Sequence, residues 1–147
     1  MSARDLHAQP LEVLIVEDDE TFSQALATFL DRDDRIVVLG VAHDLATALA
    51  ELRKNEVDVA LVDVRLGRND GFDVVEALRR QHPSLVALMM SGLDASEFRQ
   101  RAEAAGADGV VEKTALARDA RGAVIRAYLT AADSSTRPAR TPERRAR

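Results

Sequence analysis

Residues 57–63 read Val57-Asp58-Val59-Ala60-Leu61-Val62-Asp63, an almost unbroken apolar run that stops at a carboxylate. A short, valine-rich run of this kind is the pattern of a strand buried on both faces of a parallel sheet. Four more such runs occur, at residues 13–16, 36–41, 85–90 and 110–111. Stripes at helical spacing separate them. Phe22, Ala25, Leu26, Phe29 and Leu30 sit at i, i+3, i+4, i+7 and i+8, and Leu45, Ala48, Leu49 and Leu52 repeat that spacing. Phe72, Val75 and Leu78 precede Pro83, and Phe98, Ala102 and Ala105 precede Gly106. Leu116, Ala120, Val124 and Tyr128 make the last stripe. Asp94 and Glu97 fit a capping box for the fourth helix, and Gly106 suits the position just past its end.

Strand and helix thus alternate five times, which predicts an α/β fold: a five-stranded parallel sheet, doubly wound, (βα)5. The expected strand order is the flavodoxin-like 2-1-3-4-5. In such a sheet, sites form outside the carboxyl ends of the strands, where the order reverses. That is between the first and third strands, where the opening stretch ends at Asp63.

The 147 residues suit one domain. With 46% hydrophobic and 31% charged residues, the chain reads as a soluble globular protein. It has no cysteine, which excludes disulfides, thiolate metal sites and cysteine catalysis. Its three histidines, His7, His43 and His82, are far apart in sequence. The longest apolar run, 85–90, falls far short of the roughly 20 residues a membrane helix needs. Residues 1–10 lack the apolar stretch of a signal peptide, so the expected compartment is the cytoplasm. The net charge of −5 is uneven: residues 134–147 hold five arginines, one glutamate and two prolines. The expected organisation is a flexible N-terminus over 1–10, a folded unit over 11–132 and a disordered Arg/Pro-rich tail over 133–147.

Polar residues collect where the strands end. Glu17 and Asp18 follow the first strand, Asp63 the third, Ser91 the fourth and Lys113 the fifth. Singly, each has an ordinary explanation: acids cap helices, a Ser-Gly pair turns the chain, and a lysine is a solvated charge. Together they put three carboxylates, a hydroxyl and an ammonium on one edge of the sheet. Clustered carboxylates repel unless a cation joins them. Mg2+ suits them, being held by carboxylates, waters and phosphate oxygens. An aspartate beside such an ion can attack phosphorus and form an aspartyl phosphate. Lys113 and Ser91 would then supply a charge and a donor to the phosphoryl oxygens.

In these residues the chain resembles the receiver domain of two-component response regulators. Val13-Leu14-Ile15-Val16-Glu17-Asp18-Asp19 is similar to that family's first strand and acidic pair. Residues 59–66 with Asp70-Gly71-Phe72 resemble its phosphoacceptor segment, Met89-Met90-Ser91-Gly92 its switch hydroxyl, and residues 106–113 its last strand and lysine. The resemblance implies that Asp63 accepts the phosphoryl group. It implies that Glu17, Asp18, Asp63 and the backbone carbonyl of Arg65 hold Mg2+, with Asp18 the more direct ligand of the acidic pair. It implies that Ser91 and Lys113 grip the phosphoryl group and that Gly92 leaves room for the donor.

Three positions depart from the family pattern: Gly67 and Thr114 stand where proline is common, and Val110 where an aromatic often stands. Thr114 is expected to cap the last helix. The implied function is a phosphoacceptor signalling protein, not an enzyme on other substrates. Its donor would be the phosphohistidine of a sensor histidine kinase or histidine phosphotransfer protein, and its signal would be relayed by protein contacts. The short tail after the fifth helix argues against sequence-specific DNA binding. The alternatives are a degenerate receiver that only binds partners and a small Mg-dependent phosphohydrolase. The latter wants a general acid near Asp63, where Arg65 cannot serve.

Overall fold

The computed structural model of the chain describes residues 4–133. Its elements are Leu11–Val16 (β1), Glu20–Asp31 (α1), Ile36–Ala42 (β2), Leu45–Lys54 (α2), Val59–Asp63 (β3), Arg65–Leu66 (β4), Asn69–Asp70 (β5), Gly71–Gln81 (α3), Val86–Ser91 (β6), Arg99–Ala105 (α4), Gly109–Glu112 (β7) and Lys113–Ala132 (α5). Five strands pair in parallel in the order β2-β1-β3-β6-β7. Counted without the small β4–β5 ladder, this is the expected 2-1-3-4-5.

Successive side chains of a strand point to opposite faces, and each face has its own core. Leu14, Val16, Ala60, Val62, Ala87 and Met89 pack with Leu52, Val75, Leu78 and Ala102 from α2, α3 and α4. Val13, Ile15, Leu61, Leu88 and Met90 pack with Leu26, Leu30, Leu116 and Val124 from α1 and α5. Burying a side chain such as Leu61 contributes about 1.5–3 kcal/mol. The central strands β3 and β6 are buried throughout, whereas the edge strands β2 and β7 are only partly covered.

Three expectations need correction. The α1 stripe is rotated: Ser23, Leu26 and Leu30 are buried, whereas Ala25 is exposed and Phe29 lies 39% exposed under the Arg32 guanidinium. Ser23 tolerates burial because its hydroxyl donates to the Glu20 carbonyl. Asp94 does cap a turn, accepting from the Ser96 N–H, but that turn (Ala95–Glu97) is 3-10 and α4 begins only at Arg99. Thr114 is not a cap. Helix α5 starts at Lys113 directly from β7 and breaks instead at Asp119 (φ −154°, ψ 66°), whose carboxylate accepts the Gly122 N–H and caps the second half.

Residues 4–10, expected as a flexible N-terminus, make defined contacts. Arg4 lies against the buried Asp58, with contacts of 2.7 and 3.1 Å to its two carboxylate oxygens. It also donates to the Gln9 and Pro10 carbonyls and to the Tyr128 hydroxyl, while Leu6 joins the core. A buried carboxylate demands a partner, and the arginine fork supplies one. Residues 134–147, which hold all but the first residue of the expected tail, lie outside the described residues.

Candidate functional site

β1 and β3 lie side by side, so the residues that end them meet above the sheet. One oxygen from each of Glu17, Asp18 and Asp63 lies within 4.8 Å of the others. Glu17 is fully buried and Asp63 nearly so, whereas Asp18 is exposed. Lys113 reaches in from the start of α5, its Nζ 2.6 Å from Glu17 Oε1 and 2.9 Å from Asp63 Oδ2. The remaining carboxylate oxygens have backbone donors: Arg65 N–H donates to Asp63 Oδ1 at 3.0 Å, and Asp19 N–H to Glu17 Oε2 at 3.1 Å.

Three carboxylates and one ammonium leave the cluster negative. Burial, and next the neighbouring Asp63, push the Glu17 carboxyl up to about 7 despite the opposing pull of Lys113. Burial would lower the Lys113 ammonium, but its contacts with Glu17 and Asp63 outweigh this and hold it above its ordinary value. A hard cation with oxygen ligands fits such a donor set, because it relieves the repulsion that raises Glu17.

Beside Asp63 opens a cavity of about 290 Å³, lined by Val64, Arg65, Ser91, Gly92, Leu93, Phe98 and Lys113. The Ser91 hydroxyl is engaged elsewhere, donating to the Leu93 carbonyl at 2.9 Å and accepting its N–H at 3.0 Å. The fold therefore brings Glu17, Asp18, Asp63 and Lys113 together, and sets Ser91 on the cavity wall with its side chain held by its own loop.

Residues that sequence reading leaves out of the site also shape it. Phe22 puts its ring 4.7 Å from Lys113 Nζ. Phe98 lines the cavity and stacks, tilted, on Phe72, which in turn lies under Arg101. In the sequence, Phe22 and Phe98 are indistinguishable from core residues of their stripes. Gly71, beneath Asp63, signals itself only as the glycine of Asp70-Gly71-Phe72. A Cβ there would fall 2.1 Å from the Asp63 carbonyl oxygen, which no side chain tolerates. Gly67, where proline is common, has φ +58°, outside proline's reach, and turns β4 into β5.

A doubly wound α/β module with acids and a lysine over its switch point defines a class of protein, and similarity supplies the family. Residues 13–124 match the response regulator receiver domain family. A protein-glutamate methylesterase/protein-glutamine glutaminase from Anaeromyxobacter dehalogenans is 36% identical over 110 residues, which are 74% of this chain and 30% of that protein. The signal receiver domain of the response regulator NarL from Mycobacterium tuberculosis superposes with a TM-score of 0.74 at 27% identity, covering 82% of this chain and 97% of that one. A response regulator from Burkholderia pseudomallei, solved with a phosphorylated aspartic acid, a calcium ion and citrate, gives a TM-score of 0.70 at 25% identity, covering 85% and 73%.

The chain belongs to the response regulator receiver domain family. It is a receiver module of the kind found in response regulators. It spans only about a third of the length of the curated methylesterases it matches. Among the described residues no helix is long and apolar enough to cross a membrane.

Proposed function

We propose that Asp63 takes a phosphoryl group from the phosphohistidine of a sensor histidine kinase or histidine phosphotransfer protein. We further propose that residues 11–132 form the working unit, and that its signal passes to a partner by protein contacts. The observation that carries the reading is the convergence of Glu17, Asp18 and Asp63 within 4.8 Å, with Lys113 bonded to the middle of the group. The Burkholderia relative, with its phosphorylated aspartic acid and calcium ion, supports it.

Glu17, Asp18, Asp63 and the Arg65 carbonyl would hold Mg2+, which when bound neutralises charge on the phosphoryl oxygens. The protein's own groups do the rest. Asp63 opens onto the cavity, and an oxygen of its carboxylate attacks phosphorus. A new P–O bond forms, the P–N bond to the donor imidazole breaks, and that nitrogen keeps the electron pair. The Arg65 N–H and Lys113 fix the carboxylate before the attack. Afterwards Lys113 tracks the added charge, and Ser91 leaves its Leu93 bonds to donate to a phosphoryl oxygen. The small Gly92 keeps the cavity mouth open.

The test is intact-mass measurement after incubation with acetyl phosphate and Mg2+. A gain of one phosphoryl group is expected, abolished by Asp63→Asn or by excess chelator. Undiminished labelling of Asp63→Asn overturns the assignment. Release of free phosphate in many turnovers would favour a phosphohydrolase, and no reaction a module that only binds.

A further inference from the structure

We propose that Phe22 is a positioning residue for the phosphoryl-gripping ammonium, its ring face holding Lys113 between Glu17 and Asp63. The inference rests on the reading of Asp63 as acceptor. A lysine ammonium carries three N–H donors and no acceptor. Two of its directions are taken by Glu17 Oε1 at 2.6 Å and Asp63 Oδ2 at 2.9 Å. On a further side the Phe22 ring centroid lies 4.7 Å from Nζ, within the range of a cation–π contact.

The placement of Phe22 is tied to the same acids. Asp19 caps α1 by accepting the Phe22 N–H at 3.1 Å, and the Asp19 N–H in turn donates to Glu17 Oε2. The loop that sets the buried glutamate therefore also sets the ring. Phe22 is only partly buried, packed at the margin of the core that α1 and α5 share, with the ammonium lying over its ring. Lys113 is 22% exposed, and without the ring its long side chain can swing to water. Held as it is, the ammonium is already beside the carboxylate oxygen around which phosphoryl charge would build.

Leucine keeps the apolar cover and loses the negative ring face, while tyrosine keeps both. Labelling by acetyl phosphate at saturating Mg2+ should slow roughly three- to ten-fold in Phe22→Leu and recover in Phe22→Tyr. In a Lys113→Met background, Phe22→Leu should cost nothing further. Equal losses in both backgrounds overturn the proposal, as does failure of tyrosine to rescue. A second readout does not depend on phosphorylation. In the untreated protein the Lys113 ε-methylene protons should show a ring-current shift that Phe22→Leu removes and Phe22→Tyr restores. Absence of that shift in the wild-type chain overturns the proposal. Its presence in a chain that takes no label sinks the acceptor reading and leaves the ring contact standing.

Discussion

Glu17 is fully buried beside a second carboxylate and shares one ammonium with it, and this fixes its pH behaviour. Its carboxyl is raised from an ordinary 4.5 to about 7, first by burial and then by Asp63. In metal-free protein the folded state therefore holds this proton more tightly than the unfolded state does. Its contribution to stability is complete below about 4.5 and disappears as the pH rises through about 7. Metal binding runs the other way, because the cation competes with that proton. Mg2+ affinity, measured by calorimetry, should fall roughly ten-fold from about pH 8 to about pH 6. An affinity flat across that range would show that Glu17 is ionised throughout. The same chemistry explains which residues announce themselves in the sequence. Glu17, Asp18, Asp63, Ser91 and Lys113 each interrupt or follow an apolar run, so the break in pattern marks them. Phe22 and Phe98 break no pattern, and Arg4 and Asp58 stand 54 positions apart with nothing between to link them.

The elements were legible to the degree that one interaction dominates each. The central strands β3 and β6, buried on both faces, read as continuous apolar runs, while the edge strand β7 left only Val110 and Val111 as a signal. The break in α5 was hidden because Leu116, Ala120 and Val124 keep a four-residue spacing across it, and all three are buried in one core. At this scale the loop after β6 carries the expected switch. The bond that Ser91 donates to the Leu93 carbonyl must open before its hydroxyl can donate to a phosphoryl oxygen. Helix α4 spans only seven residues and buries only Ala102 and Ala105, so it resists displacement weakly. Amide exchange with and without beryllofluoride, a phosphoryl mimic, should change across residues 91–106. In Ser91→Ala that difference should largely vanish, while Asp63 still labels. A change confined to residues 63–71 in the wild-type chain would put the switch elsewhere.

In the whole molecule, the two ends of the sheet do different work. The carboxyl end carries the charged cavity, where stability is given up to gather like charges. At the opposite end Arg4 joins Asp58, Tyr128 and the carbonyls of Gln9 and Pro10, drawing the chain's beginning, middle and last helix to one point. Asp58 has no exposed side-chain surface and also accepts the Glu12 N–H, so removing the guanidinium takes its countercharge from a buried carboxylate. Arg4→Ala should destabilise the protein by about 3–5 kcal/mol in urea unfolding. A loss below about 1 kcal/mol would place this pair among ordinary surface bridges. The clasp also has a meaning in time. It joins segments separated by 54 and 124 positions, so it is expected to close late and to contribute to the finished structure more than to the barrier crossed on the way in. Arg4→Ala should leave the refolding arm of a chevron nearly unmoved and steepen escape from the native state, which makes the clasp a brake on unfolding, set at the end of the sheet farthest from the signalling chemistry.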